Sequence, residues 1–210
     1  MAKPPKPPKT PVLFIDFVDG AVGHRLRMGE GKNQALPKAA GFKSGHIPQI
    51  VDATAGLGRD AFLLASLGAQ VTLIERADAL HAALADALAR AQAAGGRYAE
   101  AAARMTLIHG DSISLLPTMT PETILIDPMH PPRRGTALVK KDMRILRDIV
   151  GADVDQTALM QAALASARKR VVLKWPVYAD PMPGIRAASH QIIGKNTRYD
   201  VFMTHGEKAE

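Results

Sequence analysis

Four groups of residues in this chain have the types and spacing to do chemistry. The first is Val51-Asp52-Ala53-Thr54-Ala55-Gly56-Leu57-Gly58-Arg59-Asp60, an apolar stretch running into a glycine turn that opens a helix. Gly56 and Gly58 permit positive φ and close approach of a ligand to the backbone, and the helix start offers unpaired N–H groups. Gly-x-Gly with Ala61 at the third position is compatible with a nucleotide-type cofactor. The second is Glu75, which ends the next apolar run and can take both ribose hydroxyls of an adenosine; Arg76 comes directly after it. The third is Asp111-Ser112, just past another apolar run, where Asp111 either contacts ribose or adenine or caps a helix. The fourth is Ile126-Asp127-Pro128-Met129-His130-Pro131-Pro132. There a carboxylate closes an apolar run and prolines stiffen the chain beyond it. Asp127 can accept hydrogen bonds from an exocyclic amine and align its lone pair with an electrophilic methyl group, which is catalysis by orientation. His130 either stacks on a base, accepts a proton, or is a solvent-facing loop histidine.

The elements that must position these residues alternate. Strands are expected at Val12–Val18, Ile50–Ala53, Val71–Glu75, Met105–His109, Thr123–Asp127 and Arg170–Trp175, with Ser189–Ile193 and Arg198–Thr204 as a closing hairpin. Helices are expected at Asn33–Ala40, Arg59–Leu67, Ala77–Ala94, Val139–Val150 and Gln156–Ala167, and a helical turn at Ser112–Leu116. Alternation with short connections implies a mostly parallel sheet with helices on both faces, its last strand antiparallel. The candidate residues then all fall at the C-terminal ends of strands, where open parallel sheets bind ligands.

Residues 1–11 read as a flexible Lys/Pro tail, 12–48 as a small basic N-terminal extension and 49–205 as the main α/β domain. At 210 residues and 47% hydrophobic the chain can bury a sizeable core. Having no cysteine excludes disulfides, thiolate metal sites and a cysteine nucleophile. The 7 histidines form no H-x-x-x-H pair, so no metal is expected. No apolar run of membrane-spanning length and no secretory signal is present, and a cytoplasmic location is expected. The net charge of +7 is clustered, in Arg25, Arg27, Lys32, Lys38 and Lys43 and again in Arg133, Arg134, Lys140, Lys141, Arg144 and Arg147. Clustering of this kind fits a phosphate-bearing partner.

With these residues assembled, the chain resembles the class I S-adenosylmethionine methyltransferases, with DATAGLGRD in the place of their glycine-rich motif, Glu75 in that of the acidic one and Asp127-Pro128 in that of the amine-methylating loop. More closely it resembles the bacterial small-subunit ribosomal RNA methyltransferase J family. The carrying segments are FIDFVDGAVGHRLRMGEGKNQAL, VDATAGLGRDAFLLASLG, LIER, ILIDPMHP, ALVKKDMRILRDIVG and RVVLKWPVYA, spread over nearly everything from Phe14 to Met203. The resemblance implies a Rossmann-like fold with a seven-stranded sheet. It implies that S-adenosylmethionine is held by Arg59 and Asp60, Glu75 and Arg76, Asp111 and Ser112, and Asp127, with Asp52, Gly56 and Gly58 forming the turn. It implies methylation of the N2 of a guanosine near the 3′ end of 16S ribosomal RNA, with Asp127 and His130 at the reacting amine. The RNA, alone or in the small subunit, would be gripped by Arg25, Arg27, Lys32, Arg133, Arg134, Lys140 and Lys141. Two departures stand out: a Lys/Pro run replaces the family's leading segment, and the loop reads Asp-Pro-Met-His without the second proline or the aromatic. The rival readings are a nucleotide-dependent oxidoreductase, an RNA-binding assembly factor without catalysis, and a methyltransferase for another nucleic-acid amine or a protein.

Overall fold

The computed structural model describes residues 13–19, 34–128 and 155–204. Within them, α1 (Ala35–Ala40) precedes β1 (Ile50–Asp52), α2 (Arg59–Ser66), β2 (Val71–Glu75), α3 (Asp78–Ala94), α4 (Gly96–Ala102) and β3 (Met105–His109). Then come α5 (Ser112–Leu115) with a 3₁₀ turn (Leu116–Thr118), β4 (Thr123–Ile126), α6 (Gln156–Ser166), β5 (Arg170–Pro176), β6 (His190–Ile193) and β7 (Thr197–Met203). The expected helix at Val139–Val150 lies outside the described residues.

The seven strands form one sheet in the order β3-β2-β1-β4-β5-β7-β6. Strands β1 to β5 pair in parallel, while β7 runs antiparallel to both β5 and β6. This is the Rossmann-like class I methyltransferase arrangement, with the antiparallel final strand the alternation implies. The chain winds outward from β1 in one direction and from β4 in the other. The two central strands stay paired to the end of β1, but the connections that leave them go opposite ways, and the crevice at such a point is where these sheets bind ligands.

Because successive side chains of a strand point to opposite faces, the apolar runs feed two separate cores. Ile50, Leu73, Leu125, Val172 and Val201 pack with Leu36, Phe62, Leu84 and Ala101 on one face. Val51, Ile124, Ile126, Leu173, Trp175 and Phe202 pack with Leu116, Met160 and Ala163 on the other.

Two elements differ from expectation. Residues 13–19 form no strand. They pack on the first core and bend at Phe17–Asp19, with Phe17 stacked on Phe62 at 4.4 Å between centroids. The Arg90 guanidinium covers the Phe14 ring and donates to the Ile15 carbonyl. The segment is apolar because it packs, not because it pairs. The helix α4 is the second difference, since no helix is expected between Ala94 and Met105. Gly95-Gly96 breaks α3, at Gly95 (φ +73°), and the chain restarts as helix at once.

Candidate functional site

The crevice is built around the end of β1. Asp52 is 3% exposed and its carboxylate accepts from the Thr54 N–H at 3.1 Å. Burial, aided by the charges of Asp60 and Asp127 and opposed by the Thr54 N–H and Lys174, pushes its carboxyl up to about 7. The Thr54 hydroxyl in turn accepts from the Asp127 N–H at 2.7 Å, which ties the end of β4 to the glycine turn.

The two glycines of that turn have different reasons. Gly56 (φ +52°) is open: an added Cβ would meet only the Thr54 carbonyl, at 3.6 Å. Gly58 (φ +65°) is crowded from behind, since its Cβ would fall 2.8 Å from Leu84 Cδ2 and 3.0 Å from Phe17 Cζ. The ligand-side argument therefore applies to Gly56, whereas Gly58 lets α2 sit down on the core. No side chain caps the start of α2, and the N–H groups of a helix start suit an anionic ligand group.

Glu75 is 6% exposed and is clamped at the end of β2. One oxygen accepts from the Ala77 N–H at 2.8 Å and the other from the Gly56 N–H at 3.1 Å. Burial raises its carboxyl above the ordinary range, against these N–H groups and the nearby Arg76. Arg76 itself pairs with Asp155 at 2.8 Å. Asp111 caps α5, accepting from the Ile113 N–H at 2.9 Å, and is exposed. The capping alternative for Asp111 is thus the geometry found. The buried Ser112 hydroxyl donates to the Ala53 carbonyl at 2.7 Å and so braces the end of β1.

Asp127 stands just past β4 with its side chain 42% exposed, which leaves a ligand access. The Lys174 ammonium lies 2.7 Å from Asp127 Oδ2 and 2.6 Å from Asp60 Oδ2. Desolvation raises the Asp127 carboxyl, Lys174 opposes this, and Asp60 adds to it. Burial alone would lower the Lys174 ammonium, but Asp127 and Asp60 outweigh it and hold it above the ordinary lysine range. Motifs alone pass over Lys174, although one signal is there: it is the lone charge inside Val171-Val172-Leu173-Lys174-Trp175. Alternation puts it on the face of Val172, the same face that α2 covers, and Asp60 is on α2.

The structure therefore brings Asp52, Gly56, Asp60, Glu75, Asp127 and Lys174 to one end of the sheet, with Arg59, Arg76, Asp111 and Ser112 around them. His130 and the basic residues Arg25, Arg27, Lys32, Arg133, Arg134, Lys140 and Lys141 lie outside the described residues. Among the described residues no cluster of His, Asp or Glu has the makings of a metal site, and no helix is long and apolar enough to cross a membrane. What remains is a crevice with an open glycine turn, an uncapped helix start and a buried carboxylate on the next strand. These features suit an adenosine-bearing cofactor with an amino-acid end.

Comparison with known proteins agrees with that geometry. A SAM-dependent methyltransferase family model matches residues 3–204. The ribosomal RNA small subunit methyltransferase J of Agrobacterium fabrum is 70% identical over 93% of this chain and 94% of its own length. The protein of the same name from Edwardsiella ictaluri is 47% identical over 90% of this chain and 76% of its own. A crystallised SAM-dependent methyltransferase from Neisseria gonorrhoeae superposes with a TM-score of 0.72 at 33% identity, covering 93% of this chain and 76% of that one. A magnesium protoporphyrin IX methyltransferase from Synechocystis, solved with SAM bound, shares the fold at a TM-score of 0.51 and 15% identity. The cofactor is S-adenosylmethionine, and the chain belongs to the ribosomal RNA small subunit methyltransferase J family of SAM-dependent methyltransferases.

Proposed function

We propose that this protein transfers a methyl group from S-adenosylmethionine to the exocyclic N2 of a guanosine near the 3′ end of 16S ribosomal RNA, in the cytoplasm. The names carried by its relatives support the substrate class. The observation that carries the chemistry is Asp127, an accessible carboxylate beside the glycine turn, held by Thr54 at its N–H and by Lys174 at its side chain.

S-adenosylmethionine supplies an electrophilic methyl group. The open turn at Gly56 and the start of α2 with Arg59 and Asp60 would hold its amino-acid end. Glu75, already aimed by two N–H groups, would take the ribose hydroxyls, with Arg76, Asp111 and Ser112 around the adenosine and Asp52 bracing the turn. Asp127 accepts a hydrogen bond from the guanine amine and so fixes where its lone pair points. The new N–C bond forms as the S–C bond breaks, and the amine proton leaves to solvent. The work of the protein is orientation, in which misplacement by about 1 Å can cost a factor on the order of 100. The guanine must be out of its stack to reach Asp127. His130 would lie against the base, while Arg25, Arg27, Lys32, Arg133, Arg134, Lys140 and Lys141 would neutralise flanking phosphates.

The test is transfer of labelled methyl from S-adenosylmethionine to small ribosomal subunits lacking native modification, beside naked RNA and Asp127→Ala. Label on one guanosine, reduced at least about 100-fold in the variant, is the expected result. Cofactor binding without label would point to another substrate, and RNA binding without cofactor binding to an assembly factor.

A further inference from the structure

A cavity lies where three segments distant in sequence meet: the start of α1 with Gln34 before it, the first turns of α2, and the turn that joins β6 to β7. The buried Leu36 and Leu63 give it apolar wall, while Gln34, Asp60 and Asn196 line it with groups that hydrogen-bond. A flat heterocycle needs that combination, with its faces against apolar side chains and its edge toward polar ones. The volume is about 270 Å³, just under the roughly 300 Å³ at which sites for drug-sized ligands begin. It suits one ring system rather than a whole nucleoside cofactor.

Two observations place the cavity beside the reacting centre. Asp60, in its wall, accepts from the Lys174 ammonium at 2.6 Å, and the same ammonium donates to Asp127 at 2.7 Å. Tyr199, also in the wall, is the strand partner of Lys174, and Thr197 is that of Pro176. Residues directly opposite on neighbouring strands share a face, so the β6–β7 turn stands at the same end of the sheet as the crevice. The order of strands then assigns the two halves of that end. Gly56, Glu75 and Asp111 follow or end β1, β2 and β3, Asp127 follows β4, and the cavity lies beyond it toward β7 and β6. In an in-line displacement the acceptor nitrogen must approach the methyl carbon from the side opposite the sulfur. A cofactor held over β1 to β3 leaves the β7 side of Asp127 for the acceptor.

We propose that this cavity receives the target guanine once it has left its stack. Leu36 and Leu63 hold the faces of the ring. The amides of Gln34 and Asn196, each with a donor and an acceptor, meet its O6 and N1–H. The N2 amine is left for Asp127. The proposal rests on the RNA-methylating reading, and it makes α1 and the β6–β7 turn the elements that seat the substrate.

The experiment uses the full-length protein with unmodified small ribosomal subunits for methyl transfer, and a fluorescent RNA of the 16S 3′ region for binding by anisotropy. Ala35→Leu fills the cavity from α1. Asn196→Ala removes one amide from an exposed turn and keeps the backbone carbonyl that accepts from the Val177 N–H. Each should lower kcat/KM for the subunit roughly 5- to 150-fold, with S-adenosylmethionine affinity unchanged by calorimetry. Should Ala35→Leu lower the melting temperature, Asn196→Ala decides alone. Wild-type transfer by either folded variant overturns the proposal. A matching loss of S-adenosylmethionine affinity overturns it as well, since the cavity would then hold part of the cofactor. If wild type labels no RNA, the anisotropy decides: weaker RNA binding by both variants keeps the cavity as a base site and fails the methylation reading alone, and equal binding overturns both.

Discussion

At the scale of single residues, the site turns on three neighbouring carboxylates and one cation. Asp52, Asp60 and Asp127 gather at one crevice, and Lys174 is the ammonium that meets two of them. A carboxyl that is protonated donates a hydrogen bond, and only the ionised form offers the guanine amine an acceptor on both oxygens. Activity should therefore be present above the Asp127 pKa and lost as pH falls through it. Burial already raises that pKa and Lys174 opposes the rise. Lys174→Met should move the acid limb of the pH–kcat profile to higher pH, whereas Lys174→Arg should leave it near the wild-type position. A profile in which Met and Arg variants coincide with wild type would remove Lys174 from this role. Asp127 and Glu75 were legible in the sequence, because a carboxylate ending an apolar run has few reasons to be there. Lys174 was visible only as an anomaly in its strand. Its partners lie 47 and 114 residues away, and nothing local in the sequence points to them.

At the scale of elements, the glycine turn is shaped by the core behind it as much as by the ligand in front. Gly58→Ala combines left-handed strain with a collision against Leu84 and Phe17. The strain costs roughly 1–2 kcal/mol and overpacking about 1–3 kcal/mol more. Gly45, at φ +73° with nothing within 4 Å of its Cβ position, would suffer the strain alone. Urea unfolding should show the Gly58→Ala midpoint well below that of Gly45→Ala; equal midpoints would mean that the core yields at no cost. Most elements could be placed from sequence because parallel strands, buried on both faces, are written as short apolar runs between helices. The segment at 13–19 misled for the same reason: Leu13, Ile15 and Phe17 have the composition of a strand, but their partners are Phe62 and other side chains of the first core. The two roles of glycine in one Gly-x-Gly could not be separated without knowing that α3 brings Leu84 behind Gly58.

At the scale of the whole molecule, a net charge of +7 sets how the RNA is met. Each phosphate neutralised on a single strand should add about −0.7 to the slope of log affinity against log salt. A series from low to physiological salt should therefore show a steep fall in RNA affinity with little change in S-adenosylmethionine affinity. RNA affinity that ignores salt would contradict the phosphate grip. The order of the sheet has a different consequence, one of timing. As the chain is synthesised, the turn, Glu75 and Asp111 emerge first, Asp127 comes next, and Lys174 arrives only with β5, which pairs with β4 and then with β7. Until that late strand docks, Asp60 and Asp127 face each other without their shared counter-ion. An unfinished molecule thus carries the recognisable motifs before it carries the ammonium that joins two of them.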